Sequence, residues 1–410
     1  MSSNNSNETD DSTPDGDPWE RARENLNASK AAKAANDPWE RARKTLEEKK
    51  AVEARAKAVI SGEALQAKKD AAGDPTVGED SNPAETEAGS EDAKPVKKVN
   101  RQTVSYLSRR FEEVGLNPNR RHGQNFLVDL NLIQMIAGAA ELGKNDVVLE
   151  VGTGMGSLTG ILAQKAAHVI TVEIDGHLHQ MAAEELESFD NVEMLKQDVL
   201  KNKNQLDERV IQAIKNALAN QPYRKFKLAA NLPYNIATPI IANLLRSEVI
   251  PAMMSVTIQK ELADRITAKP SSKDYGSLSV WVQSMADAEL VRIMPPHVFW
   301  PRPKVDSAIL KITYRPEKAS AIPDINFFYA FVRAMFFHRR KYMRSVAVAA
   351  FKGQLSKPQV DEVLAAAELR EDSRTEQLKV AQLQSLSELF RQKLIEVTGE
   401  ESPRLANQGN

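Results

Sequence analysis

Three glycines and two acids, each just after an apolar run, are the first residues in this sequence that could bind a ligand. Gly152, Gly154 and Gly156 stand between an apolar run and a helical pattern, and glycine allows positive φ and close approach of the backbone to a ligand. The next two apolar runs end at Glu173 and beside Asp198. If these runs are parallel strands, one carboxylate could accept hydrogen bonds from both hydroxyls of a ribose, and the other from the exocyclic amine of an adenine.

The glycine spacing restricts the kind of cofactor. It is G-x-G-x-G rather than the G-x-G-x-x-G of dinucleotide-binding folds, and no Lys-Ser/Thr pair follows that would make a phosphate loop. Contacts to a ribose and an adenine without a diphosphate cradle favour S-adenosylmethionine over NAD or ATP. The alternative is that Glu173 and Asp198 only cap the helices that follow them.

A second group of residues, Asn231-Leu232-Pro233-Tyr234, follows the fourth apolar run. Pro233 fixes its own φ and favours an extended Leu232, which can aim the Leu232 carbonyl into the same crevice as the Asn231 amide oxygen. Two such acceptors fit a planar –NH2 group, and Tyr234 can stack on the ring that carries it. Holding both hydrogens favours pyramidalisation of the amine and directs its lone pair at a methyl group, so no strong general base is needed. The alternative is an ordinary turn.

With these residues the sequence resembles the ribosomal RNA adenine N6,N6-dimethyltransferase family. Four motifs carry the resemblance: residues 231–234 (NLPY), 121–127 (RHGQNFL), 299–307 (FWPRPKVDS) and the basic turn 338–341 (HRRK). They occur in the family's order over about residues 100–397. The Pro-Lys-Val-Asp-Ser form and the Asn-Ile-x-Thr-Pro after Tyr234 resemble the bacterial KsgA/RsmA branch.

The resemblance implies an enzyme that transfers four methyl groups from S-adenosylmethionine to two adjacent adenines near the 3′ end of small-subunit (16S) rRNA, during subunit maturation. It implies cofactor contacts at Asn125, Leu127, Gly152, Glu173, Asp198 and Asn231. It implies catalytic roles for Asn231, Leu232, Pro233, Tyr234 and Phe299, the last as a second aromatic wall of the adenine pocket. Two residues depart from the family pattern, because Ala237 replaces a usual Ser and Trp300 is bulky for its position.

The elements that must position these residues follow from the hydropathy pattern. Seven apolar runs predict strands at 147–151, 169–173, 192–195, 227–231, 255–259, 288–294 and 308–314. Helical patterns separate most of them, which predicts an α/β, Rossmann-like methyltransferase domain over 101–316 with a largely parallel sheet covered on both faces. Helical patterns at 324–337, 342–352, 357–369 and 375–397 have no strand between them. They predict a small all-helical, RNA-contacting domain over 317–400.

An acidic extension precedes this body. Residues 1–100 carry 16 Lys and Arg against 21 Asp and Glu, whereas the remainder carries 39 against 35. The extension is predicted to be mostly disordered, with marginal helices. Within it the sequence Asp-Pro-Trp-Glu-Arg-Ala-Arg occurs at 17–23 and at 37–43, with the signals of a helix N-terminus. These segments either form marginal solvated helices or anchor each Trp to an unknown partner. Residues 401–410 are predicted to be a disordered tail.

The basic residues of the body predict an RNA partner. Residues 301–350 hold ten Lys and Arg against three acids, and phosphate contacts require positive charge. The predicted contacts to small-subunit rRNA, or to the immature small subunit, are Arg339, Arg340, Lys341 and Arg344. Two other functions stay open: a non-catalytic RNA-binding assembly factor, and an Erm-like enzyme that modifies large-subunit rRNA.

Composition excludes several kinds of chemistry. The chain has no Cys, so disulfides, thiolate catalysis and Cys-built metal sites are excluded. Its His residues have no clustered partners, and no metal site is predicted. No apolar stretch reaches about 18 residues, which predicts no membrane partner. The first residues lack the pattern of a secretory signal. We therefore predict a cytoplasmic protein, and a monomer.

Overall fold

The computed structural model describes residues 103–115, 118, 123–219, 221–400 and 403–405. The predicted extension, its Trp-containing repeat and most of the predicted tail lie outside the described residues. The chain divides into two compact units, one of residues 1–94 and 108–117, the other of residues 95–107 and 118–410. Of the first unit the structure describes residues 108–115. The sheet and the candidate site belong to the second unit.

The strands of the described residues include all seven that the hydropathy pattern predicts, with ends that differ by at most two residues. They are β1 (Phe126–Leu127), β2 (Val147–Val151), β3 (His168–Glu173), β4 (Val192–Lys196), β5 (Leu200–Asn202), β6 (Gln205–Leu206), β7 (Phe226–Asn231), β8 (Met253–Gln259), β9 (Ala286–Met294), β10 (Phe299–Trp300) and β11 (Ser307–Tyr314).

Seven of these strands form one sheet in the order β4-β3-β2-β7-β8-β11-β9. The five strands from β4 to β8 are parallel neighbours, and β11 runs antiparallel to both β8 and β9. The connection from β9 to β11 carries no α-helix that could act as a crossover, which parallel neighbours would need. The predicted largely parallel sheet is confirmed, with an antiparallel edge.

The described residues also contain thirteen α-helices. They are α1 (Val104–Glu113), α2 (Leu130–Ala139), α3 (Ser157–Lys165), α4 (Gly176–Leu186), α5 (Glu208–Leu218), α6 (Ala237–Leu244), α7 (Lys260–Thr267), α8 (Ser277–Gln283), α9 (Pro316–Ala319), α10 (Ile325–Phe336), α11 (Met343–Ala350), α12 (Lys357–Ala366) and α13 (Val380–Thr398). Helices α10 to α13 match the four helical patterns at the end of the sequence. None of the described helices has the length and apolar character that crossing a bilayer demands.

Both faces of the sheet are buried at its central strands β2, β3, β7 and β8. Successive side chains of a strand point to opposite faces. On β2, Val148 belongs to one buried cluster together with Ile136 of α2 and Leu162 of α3. The next residue, Leu149, belongs to a second cluster, which also contains Ile214 of α5. The central strands are therefore mainly apolar, as expected for a sheet with two covered faces, whereas the edge strands β4 and β9 are partly exposed.

The terminal helices pack directly on the sheet-bearing part. Trp281 of α8 lies against two rings of α10, with centroid distances of 6.3 Å to Phe328 and 4.7 Å to Tyr329. Its indole N–H donates to the carbonyl of Ala242 at 3.2 Å. One buried cluster runs from Leu149 of the sheet into these helices. The predicted boundary at 316/317 therefore crosses a continuous core, and it stays a prediction.

Candidate active site

A cavity opens between β2 and β7, at the carboxyl ends of the strands. The chain runs from β2 outward to β3 and β4, and then continues on the other side of β2 with β7 and β8. Such a reversal leaves a crevice, which is where open α/β sheets bind ligands. The cavity measures about 840 Å³ with its open mouth. The predicted site residues that line it are Asn125, Gly152, Glu173, Asp198, Asn231, Leu232, Pro233 and Tyr234.

The glycine turn after β2 forms the floor of the cavity. Gly152, Gly154 and Gly156 have φ values of 83°, 57° and 80°, which L-residues with a side chain rarely adopt. A Cβ on Gly154 would lie 3.3 Å from the Phe126 ring. The sequence needs glycine here for conformation and, at Gly154, for space.

Glu173 is held inside the cavity by the backbone around it. The N–H of Gly154 donates to Oε2 at 3.1 Å, and the N–H of Asp175 donates to Oε1 at 2.9 Å. Burial raises the pKa of Glu173, against the lowering effect of these hydrogen bonds. Each oxygen keeps a lone pair for a further donor. The alternative that Glu173 caps the next helix is wrong, because Asp175 caps α4 with bonds from the N–H groups of His177 and Leu178.

Asp198 lies at the rim of the same cavity and is exposed. Its Oδ1 accepts a hydrogen bond from the N–H of Leu200 at 2.9 Å. The segment that follows is strand β5 rather than a helix, so Asp198 does not serve as a helix cap. The apolar side chains of Ile174, Leu178 and Val199 line the cavity as well. A carboxylate beside apolar walls suits a flat ring that carries a hydrogen-bond donor.

Asn231 is oriented by the backbone of the segment across the cavity. Its Nδ2 donates to the carbonyl of Asn125 at 2.8 Å, which leaves Oδ1 as the acceptor. The N–H of Leu232 donates to the carbonyl of Thr257 at 3.1 Å, and none of the described residues donates to the Leu232 carbonyl. The two residues that carry the predicted acceptors, one side-chain and one main-chain, are neighbours on the cavity wall.

The Tyr234 ring is held at its far end. Its hydroxyl and that of Ser307 lie 2.5 Å apart, and Ser307 is buried at the start of β11. Burial raises the pKa of Tyr234, which therefore keeps its proton at neutral pH. A ring fixed at its hydroxyl is a preorganised stacking surface.

Two predicted site residues are not on the cavity wall. Leu127 and Phe299 pair with each other across the short antiparallel ladder of β1 and β10, and Phe299 is only 3% exposed. Both belong to the buried cluster on the α2 and α3 side of the sheet. In this structure they support the wall from behind, because the ladder brings the 121–127 and 299–307 motifs together. Arg121 and His122 of the first motif lie outside the described residues.

Residues without a predicted role also take part in the site. Phe126 and Gln124 line the cavity, and Gln124 Nε2 donates to Asp175 Oδ2 at 3.2 Å. The side chain of Trp300 lies near the Phe126 ring, with centroids 6.2 Å apart. Gln124 and Phe126 belong to the 121–127 motif, and this position in the sequence was the signal from which their place in the site could have been predicted. Among the described residues, no group of three or more His, Asp or Glu could hold a metal ion.

A buried carboxyl lies directly behind the glycine turn. Glu150 of β2 is 1% exposed, and its Oε2 accepts hydrogen bonds from the hydroxyls of Thr159, at 2.5 Å, and Thr171, at 2.7 Å. The Thr153 hydroxyl completes the chain, 2.6 Å from that of Thr171. Burial raises the pKa of Glu150 to about 8, against the lowering effect of the two hydroxyls. The network ties the turn to β3 and α3.

The four predicted RNA-binding cations fall into two classes. Arg339 donates to the carbonyls of Lys273 and Tyr275 at 2.8 and 3.2 Å. Arg344 forms a bidentate ion pair with Asp361, at 2.6 and 2.8 Å. In contrast, Arg340 and Lys341 are exposed. Their side chains have no hydrogen-bond or ion-pair partner among the described residues.

Comparisons with known proteins identify the family of this chain. The family described as "Ribosomal RNA adenine dimethylase" matches residues 115–390. "Ribosomal RNA small subunit methyltransferase A" of Streptococcus mutans is 39% identical over 69% of this chain and 94% of its own length. The protein of the same name from Streptococcus agalactiae is 40% identical over 69% of this chain and 95% of its own length.

A solved structure shares the fold. A dimethyladenosine transferase from Plasmodium falciparum superimposes with a TM-score of 0.54 at 23% identity, over 65% of this chain and 97% of that one. The family match spans the glycine turn, both cavity acids, the Asn-Leu-Pro-Tyr segment and the basic turn. The predicted family is therefore confirmed: this chain belongs to the ribosomal RNA adenine dimethylases.

Proposed function

We propose that this chain dimethylates the N6 amino groups of two adjacent adenines near the 3′ end of small-subunit rRNA, with S-adenosylmethionine as the methyl donor. The observation that carries the proposal is the bond from Asn231 Nδ2 to the Asn125 carbonyl. It fixes the amide so that its oxygen, beside the Leu232 carbonyl, is available to an amine. The relatives named small subunit methyltransferase A support small-subunit rRNA as the substrate. Methylation would take place in the cytoplasm.

The hydrogen-bond acceptors of the cavity fit this cofactor. Glu173 would accept the two ribose hydroxyls, since each of its oxygens keeps a lone pair beside one backbone N–H. Asp198 would accept the adenine amine, between the apolar side chains of Ile174 and Val199. The turn at Gly152 would face the methionine end. When bound, the cofactor supplies an electrophilic methyl group on a sulfonium.

The chain's own residues orient the target amine. The lone pair of an adenine N6 is delocalised into the ring, which makes it a weak nucleophile. Asn231 Oδ1 and the Leu232 carbonyl, which lie on one wall, would each accept one N–H. This arrangement favours a pyramidal nitrogen whose lone pair points into the cavity. Tyr234, held by Ser307, would stack on the base.

Positioning and fixed dipoles supply the rate enhancement in this scheme. Orientation of two reacting groups is worth up to roughly 7–11 kcal/mol of a barrier, and one preorganised polar contact is worth about 3–4 kcal/mol. The new N–C bond would form as the S–C bond of the sulfonium breaks, which leaves a neutral thioether. The positively charged nitrogen would then lose its proton to water, so a strong base is unnecessary. The monomethylated amine has a single N–H, and one acceptor must then hold it.

The target adenine must be unpaired or leave its stack to reach this cavity. The experiment is mass mapping of adenines in rRNA from a strain that lacks the protein, before and after the wild-type chain is returned. Two dimethylated adenines that reappear near the 3′ end of small-subunit rRNA support the proposal. Modification of large-subunit rRNA instead would identify an Erm-like enzyme. Unchanged adenines with defective subunits would identify an assembly factor.

A further inference from the structure

An exposed aromatic ring stands on the basic turn after α10. Residues 325–360 contain seven Lys and Arg and no Asp or Glu. Phe337 is the C-cap residue directly after α10, and 74% of it is exposed to solvent. A single exposed apolar side chain is common on protein surfaces and carries no inference alone. The inference here depends on the basic residues that flank this ring in the sequence.

The backbone that carries this ring is helical, and one aromatic ring lies beside it. Phe337 keeps helical dihedrals, φ −61° and ψ −34°, and its N–H donates to the Ala334 carbonyl at 3.3 Å. The His338 ring lies 4.7 Å away at 74°. The backbone at Phe337 is therefore already ordered at the end of a helix, so a partner of the ring would not have to order it.

The charges beside Phe337 select the kind of partner. Arg340 and Lys341 have no acceptor among the described residues, whereas Arg339 is committed to the carbonyls of Lys273 and Tyr275. Two available cations beside an open ring match the chemistry of an unpaired nucleotide, which offers phosphates and an aromatic face. A hydrophobic protein segment would leave both cations without a partner.

We propose that Phe337 stacks on an unpaired base of the rRNA, while Arg340 and Lys341 contact phosphates of the same strand segment. This inference rests on the proposed function and adds an anchor for the substrate outside the catalytic cavity. Tyr342, half exposed at the other end of the turn, has Arg374 over its ring at 5.6 Å. It bounds the turn on that side.

The test measures affinity of the full chain for unmethylated small subunits. Phe337→Ala should weaken binding roughly five- to hundredfold, the usual loss when one stacked base is released. Phe337→Trp should bind within about threefold of wild type, and Phe337→Leu should bind as poorly as the Ala variant. The matched control is Tyr223→Ala, which removes a ring that is 84% exposed. Tyr223 precedes the amino end of β7, whereas the cavity lies at the carboxyl end of this strand. It should leave affinity unchanged.

Salt dependence separates stacking from charge. Arg340→Ala should reduce the slope of log Kd against log salt by roughly 0.7, the value for one phosphate of a single strand. Phe337→Ala should leave the slope unchanged. A Leu variant that binds as well as Trp, or a Phe337→Ala variant with wild-type affinity, would overturn the proposal.

A photocrosslink identifies the occupant. A benzophenone amino acid at position 337, irradiated in the complex with small subunits, should crosslink to rRNA. A crosslink to a ribosomal protein alone, or none, contradicts base stacking. The proposed function is judged separately by methyl transfer of the wild-type chain. If wild type methylates adenines but Phe337→Ala binds normally, only the stacking proposal fails; if wild type methylates no rRNA, the proposed function fails.

Discussion

Replacing Glu150 by Gln should change how the stability of the protein depends on pH. Glu150 lies behind the glycine turn, with Thr159 and Thr171 donating to its Oε2. Burial raises its pKa to about 8 from the ordinary value of 4.5. The native chain therefore keeps a proton on Glu150 at pH 7, whereas the unfolded chain has released it.

The sign and the size of the effect follow from this difference. A raised native pKa stabilises the fold fully below about pH 4.5, and this stabilisation is lost as pH rises toward the native pKa of about 8. Each pH unit in that window corresponds to about 1.4 kcal/mol. Between pH 5 and pH 8 the wild type should thus lose about 4 kcal/mol that Glu150→Gln keeps, because Gln resembles the neutral acid and does not titrate.

The assay is urea unfolding of both chains, followed by circular dichroism at pH 5, 6, 7 and 8. The difference between their free energies of unfolding removes the contribution of the other titrating groups. Asp287→Asn is the control. Hydrogen bonds from Lys318 and Arg315 hold the pKa of Asp287 below its usual value, so its difference from wild type should be constant over this range. A constant difference for Glu150→Gln as well would show that Glu150 is ionised in the native protein and refute the reasoning.

Three further predictions concern the cavity. Tyr234→Phe loses only the bond to Ser307, so kcat/KM for methyl transfer should fall less than about fivefold. Tyr234→Ala also loses the ring, and kcat/KM should fall roughly ten- to hundredfold. Equal losses in the two variants would contradict stacking. Gly154→Ala places a Cβ at positive φ and 3.3 Å from the Phe126 ring, which costs about 1–2 kcal/mol. The Kd for S-adenosylmethionine, measured by calorimetry, should therefore rise roughly tenfold. An unchanged Kd would mean that the cofactor binds elsewhere. In a time course, monomethyladenine should appear before dimethyladenine, and its complete absence at every time would contradict a stepwise use of two acceptors.

The sheet could be predicted because its strands are local signals. Apolar runs such as that of Val147–Val151 are buried on both faces. The crevice followed from the same reasoning, since Gly152, Glu173 and Asn231 end strands that had to be parallel. The branch point between β2 and β7 then brought these residues together.

Contacts between distant segments could not be predicted in this way. The ladder of β1 and β10 consists of two residue pairs, which is too short for any hydropathy pattern, and it buries Phe299 behind the wall. The basic turn predicted charge but not its use, because Arg339 and Arg344 are committed to partners in other segments. The raised pKa of Glu150 comes from burial, and the residues that bury it come together only in the folded chain.

The rate of methyl transfer by Asn231→Ala tests most directly whether the Asn231 amide oxygen orients the target amine in the cavity. The variant removes the oriented amide oxygen and one of the cofactor contacts that the family resemblance implies, but it keeps Glu173 and the glycine turn. S-adenosylmethionine should therefore still bind, within about tenfold of wild-type affinity. We expect kcat on unmethylated small subunits to fall by about two to three orders of magnitude, the usual loss of one preorganised polar contact. Turnover within about threefold of wild type, with normal cofactor binding, would contradict the proposed mechanism.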